Sequence, residues 1–126
     1  MKLEDLQIYH LSMELSDKIW NLVQEWNTFS RDTVGKQLVR AADSVGANIA
    51  EGFGRYHFKE NLNFCFYSRG SLYETKTWLT KAQSRNLIDT EKFKYLINLC
   101  HMLSLKLNNY IKTIGKTNTS IGSSKQ

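Results

Sequence analysis

The chain has 126 residues, 41% hydrophobic and 12% aromatic, with no proline; that is enough apolar material for one folded domain and argues against a disordered chain. Its formal net charge of +5 is unevenly spread: residues 1–30 hold two lysines against five acids (−3), and residues 31–126 hold fifteen basic residues against seven acids (+8). The pI near 9.3 and that polarity suit a polyanionic partner, and two cysteines in a chain of this length do not make a disulfide framework.

At the N-terminus, MKLEDLQIYH lacks the basic segment and apolar run of a secretory signal. No stretch reaches the roughly 20 apolar residues of a membrane span, so the reading is a cytoplasmic protein without a membrane partner. From about residue 5 to 26, Ile8, Leu11, Leu15, Ile19, Leu22 and Trp26 recur at the helical period, and Tyr9, Met13, Trp20 and Val23 widen the stripe. So broad an apolar face suits a helix with more than one neighbour. Residues 27–33 are polar and rich in capping types and predict a turn.

A second helix is predicted over 33–52. Val34, Leu38, Ala41, Ala42, Val45 and Ile49 share one face, and the small ones allow a neighbouring helix to approach closely. Gly46 inside it should cost about 0.5–1 kcal/mol relative to alanine; it marks either a close helix contact or a bend. Gly52 and Gly54 read as a C-terminal stop. The third helix, 57–85, is carried by Leu62, Cys65, Ser68, Leu72, Thr75, Leu79 and Ala82, and its small stretch Ser68-Arg69-Gly70-Ser71 is expected to face the alanines of the second. A turn over 86–90, with Asp89 or Thr90 as N-cap, leads to a fourth helix over 90–114 built on Phe93, Leu96, Ile97, Cys100, Leu103, Leu107, Tyr110, Ile111 and Ile114. Cys65 and Cys100, each inside such a pattern, read as buried thiols. Residues 115–126 are Gly, Ser and Thr-rich and read as a flexible polar tail. Four long amphipathic helices with short turns predict an all-α, antiparallel up-down-up-down four-helix bundle.

The second helix also carries a polar row. At 100° per residue, Gln37, Arg40, Ser44, Asn48, Glu51 and Arg55 fall within roughly an 80° sector. A merely solvated face is one reading. Ser and Asn are mediocre helix formers, however, so the row equally suits hydrogen bonding to another helix or subunit. Were it buried, Arg40 would need a partner, and Glu74 on the third helix is a candidate; Glu51 and Arg55 can pair at i,i+4. Basic residues interleave with Tyr56, Phe58, Phe64, Phe66, Tyr67 and Tyr73, a mixture that suits single-stranded nucleic acid as well as an ordinary bundle surface. Lys76, Lys81, Arg85, Lys106 and Lys112 are the candidate contacts.

Catalytic patterns are missing from the sequence. His10, His57 and His101 form no i,i+4 pair, and no HExxH, CxxC or Glu-x-x-His arrangement occurs, so no metal or other cofactor is expected. Gly115-Lys116-Thr117 lacks the upstream glycine of a phosphate loop, since that position is Tyr110.

The stretch QLVRAADSVGANIAEGFGR (37–55), followed by GSLYE at 70–74, resembles the bacterial four-helix-bundle family of proteins encoded in intervening sequences of 23S ribosomal RNA genes. The resemblance covers about residues 4–112. It transfers motif positions to Arg40, Ser44, Asn48, Glu51, Gly52, Arg55, Gly70, Ser71 and Glu74. The family pattern often has proline where this chain has Gly46 and Ser30. What the resemblance implies is a homopentamer around a central channel, with no enzymatic activity. A related branch, accessory proteins of diversity-generating retroelements, binds nucleic acid and works with a reverse transcriptase. The expectation is therefore a non-enzymatic homo-oligomer with charge-driven binding of RNA or DNA; the alternative is a protein-interaction module serving a polymerase-type partner without touching nucleic acid.

Overall fold

Apolar spacing becomes four helices in a computed structural model that describes residues 1–125, with side chains described through Lys116. A short 3-10 turn, Leu3–Asp5, precedes α1, Gln7–Gln24; α2 runs Lys36–Phe53, α3 Phe58–Ser84 and α4 Thr90–Lys125. α1 packs on α2 and α4, and α3 on α2 and α4, so consecutive helices are neighbours and the first and last close the ring. The core is drawn from all four. Leu15 and Ile19, Leu38 and Ile49, Leu72 and Leu79, and Leu96, Leu103 and Leu107 are all but inaccessible, as the stripes read from the sequence require.

The predicted turn at 27–33 is more structured than a turn. Asn27 accepts a hydrogen bond from the Ser30 backbone N–H at 2.9 Å and starts a helical turn, Thr28–Ser30. That turn passes into a π-helical stretch, Arg31–Gly35, before α2 begins. A Cβ on Gly35 would come 2.6 Å from Val23 Cγ1 and 3.4 Å from the Trp26 ring, so glycine lets the widened turn press onto the end of α1.

Gly46 is resolved in favour of contact. α2 runs through it as regular helix, and a Cβ there would lie 2.7 Å from Ser12 Oγ; α1 and α2 touch where neither carries bulk. Gly52 and Gly54 differ from the expected stop. Gly54 caps α2 in right-handed geometry, φ −77°, while Gly52 is buried in the last turn, where a Cβ would come 2.7 Å from Asn61 Oδ1 and 2.8 Å from Phe64 Cβ. Its task is to let α2 meet α3. Ser68 Oγ donates to the Val45 carbonyl at 2.7 Å along the same seam. Gly70, expected to face α2 as well, stands on the outside of α3, two residues and about 200° further round the helix.

α3 ends in a left-handed cap. Asn86 takes φ 61°, Leu87 N–H donates to the Ala82 carbonyl at 2.9 Å, and Asn86 N–H to that of Gln83 at 3.0 Å. Asp89 then caps α4 by accepting from the Lys92 N–H at 2.7 Å. The backbone of α4 continues past the predicted end at 114 to Lys125; the flexible polar tail expected over 115–126 otherwise lies mostly outside the described residues, which exclude the side chains from 117 on.

Cys65 and Cys100 are buried and free, as read from their apolar patterns. Burial pushes their thiols up, Cys65 to about 11 and Cys100 to about 12, the latter against the pull of Lys76. A thiol protonated in the folded state but ionised when unfolded favours unfolding as pH rises above 9, so stability should fall between about pH 9 and 12. In native protein at about pH 8 neither thiol should react with a disulfide reagent, and both should react once the chain is unfolded.

Candidate functional site

α2 turns its polar row to the outside of the seam with α3. Contacts of Gly52 with Asn61 and Phe64, and of Val45 with Ser68, define the side of α2 that meets α3. The row lies next to that side, rotated toward solvent. Arg40, Glu51 and Arg55 are exposed, and Ser44 and Asn48 half-buried. On α3, Gly70, Ser71 and Glu74 fall within a sector of about 100° on the outer flank that borders α2. The motif positions thus gather on one outer face, with Gly52 alone among them buried inside the seam.

The bonds made on this face stay within α2 and its end. Ser44 Oγ donates to the Arg40 carbonyl at 2.8 Å and Asn48 Nδ2 to the Ser44 carbonyl at 2.8 Å. Arg55 and Glu51 pair at 2.6 Å, the one ion pair among the described residues, as their spacing predicted. The anticipated pairing of Arg40 with Glu74 is not formed: Arg40 edges a groove shared with Trp20, Val23 and Gln24 of α1, and Glu74 is exposed on α3. No bond joins the row to another helix of the same chain, so the interhelical half of the sequence reading fails. Gly70 adds a second oddity. It is mid-helix and exposed, and a Cβ on it would meet nothing within 4 Å, so packing inside the chain gives no reason for glycine there.

The five candidate nucleic-acid contacts do not form one patch. Lys81 and Arg85, both exposed, edge a groove of about 470 Å³ with Gln37, Asp32 and Trp78. Lys76 lies toward α4, its ammonium 5.1 Å from the Tyr73 ring centre. Lys106 and Lys112 lie on α4 and are themselves about 120° apart round it. Since Arg69 bonds Asn108 across the antiparallel pair, Lys112 sits about 24 Å along the bundle from Lys81.

Among the described residues, no three His, Cys, Asp or Glu side chains gather as metal ligands, and no helix is long and apolar enough to cross a membrane. Two features were only half read in the sequence: Gly70 was expected to face α2 and not outward, and the mixture of rings and cations was noted without its repeat on α3, Phe66 with Arg69 and Tyr73 with Lys76. The second was legible as two aromatic residues, each three positions before a basic one.

An up-and-down four-helix bundle with a polar outer face on its second and third helices defines the class of protein. The chain belongs to the family described as 23S rRNA-intervening sequence protein, which matches residues 4–109. Its fold is similar to that of a solved protein of unknown function from the S23 ribosomal protein family of Bacteroides thetaiotaomicron VPI-5482. The two share 24% sequence identity and a TM-score of 0.76 over 83% of this chain and 95% of the other. No curated protein matches.

Proposed function

We propose that this protein is a non-enzymatic homo-oligomer, a pentamer, that assembles through the outer face of α2 and α3 in the bacterial cytoplasm and binds nucleic acid by accumulated positive charge. The observation that carries the reading is the unused face. Arg40, Ser44 and Asn48 bond only within their own helix, beside an exposed glycine that nothing in the chain requires. Mediocre helix formers and an exposed glycine lower the stability of an isolated helix; a second copy docking there supplies the compensation.

Five copies at +5 each place about +25 around one axis. Affinity for a short RNA should therefore fall steeply, by at least about tenfold, between about 50 and 200 mM salt. Charge reversal at Lys81, Arg85 and Lys112 should weaken binding while leaving the oligomer intact. Both are read by fluorescence anisotropy with mass measured alongside. Affinity indifferent to salt would remove the electrostatic account and favour the protein-interaction module, with a polymerase-type partner.

A further inference from the structure

The outer surface between α3 and α4 carries a line of paired rings and cations. Phe66 and Tyr73 are 43% and 58% exposed. The Arg69 guanidinium lies 5.0 Å from the Phe66 ring centre, and the Lys76 ammonium 5.1 Å from that of Tyr73. The spacing is i, i+3, i+7, i+10, one line along the helix. The two units therefore repeat after seven residues, about 10 Å. Arg69 is also held from the far side, Nη1 donating to Asn108 Oδ1 of α4 at 3.2 Å. Its charge is thus placed before any ligand arrives.

The surroundings hold few carboxylates. Of the two carboxylates of α3, Glu60 lies about 120° or more round the helix from this line, and Glu74 about 80° from Phe66 and about 140° or more from Arg69 and Lys76. On α4 the line through Asn108 continues at seven-residue steps to His101 and Lys94, both exposed. The carboxylate of α4, Glu91, is confined to its first turn.

We infer that this face is a binding track for single-stranded nucleic acid, with Phe66 and Tyr73 stacking on bases and Arg69 and Lys76 meeting phosphates. The inference rests on the nucleic-acid reading above and gives it a site. Exposed rings decide the class of partner. An acidic peptide would use the cations alone, and a duplex keeps its base faces stacked inside, whereas a single strand offers both phosphates and free base faces. The ring spacing of about 10 Å matches three stacked nucleotides at about 3.4 Å each. Lys81, Arg85 and Lys106 lie off the track and contribute to binding only through the long-range positive field.

The test is a fluorescence anisotropy titration of the full chain with a labelled oligouridylate of about twelve nucleotides, against a duplex of the same length. The variant F66L/Y73L keeps apolar bulk at two exposed positions and removes the rings. It should bind the single strand about tenfold or more weakly and the duplex as wild type does. R69Q/K76Q should weaken both and flatten the salt dependence. Circular dichroism and mass confirm that each variant keeps fold and assembly. If wild type binds and F66L/Y73L binds the single strand equally well, the track is wrong while the charge-driven reading stands. Displacement of the strand by polyglutamate at equal charge concentration would also overturn it, in favour of an acidic protein partner. If wild type binds no nucleic acid at any salt, both readings fall together.

Discussion

Gly70→Arg should convert the assembled protein to single chains while leaving each chain folded. A side chain at this position meets nothing within 4 Å inside the chain, so neither core nor helix contacts oppose it, and replacing a mid-helix glycine favours the helix by about 0.5–1 kcal/mol. A long cation projecting from the docking face would hold a second copy away, and desolvating it without a partner costs several kcal/mol. Circular dichroism should show unchanged helix content, with mass near 14.7 kDa. Gly70→Ala refines the test. On a face open to solvent it should only stabilise the chain; on a packed face its methyl group should weaken assembly. If Gly70→Arg retains the wild-type mass, the outer face of α2 and α3 is not the interface.

Gly52→Val should have the opposite character, a loss of folding rather than of assembly alone. The new Cβ would fall 2.7 Å from Asn61 Oδ1, 2.8 Å from Phe64 Cβ and 3.1 Å from the Asn61 carbonyl oxygen. The Asn61 amide can turn aside, but the carbonyl and Phe64 Cβ move only with the α3 backbone. Overpacking of this kind costs about 3 kcal/mol, a large share of the 5–15 kcal/mol typical of a domain. Gly54→Ala is the control, because its Cβ would meet only carbonyl oxygens at 3.6 Å, and a change within about 0.5 kcal/mol is expected. Urea denaturation of the three proteins reads the difference. Equal midpoints for Gly52→Val and Gly54→Ala would mean that the seam between α2 and α3 has more room than the structure shows.

These two glycines also show how far the sequence could be read. Apolar periodicity located the helices because burial selects Leu15 and Ile19, or Leu38, Val45 and Ile49, at a spacing that geometry dictates. Local chemistry located the Asp89 cap and the Glu51–Arg55 pair, whose partners lie within four residues. Glycine carries no such signature. Gly52 looked like a helix stop because glycine commonly serves as one, and only the position of Asn61 and Phe64 shows that it is a packing residue. Gly35 in the π-helical turn was hidden for the same reason, since its neighbours Val23 and Trp26 come from the end of α1 and the bend after it.

The candidate face was partly legible. One hundred degrees per residue placed Arg40, Ser44, Asn48, Glu51 and Arg55 together, and the structure keeps them together. The proposed Arg40–Glu74 bridge failed because sequence spacing within each helix says nothing of how two helices are rotated against each other. That rotation leaves Arg40 outside the seam. It also turns Arg69 and Lys76 toward α4 and leaves Phe66, Gly70 and Tyr73 facing out.

The absolute mass of the wild-type protein in solution, by light scattering at low and high salt, tests the central claim most directly. The account predicts a particle near 74 kDa, five times the 14.7 kDa chain, at both salt concentrations, because the proposed interface rests on packing and hydrogen bonds rather than on screened charge. A 14.7 kDa species at working concentration would contradict it and return the polar row of α2 to solvent.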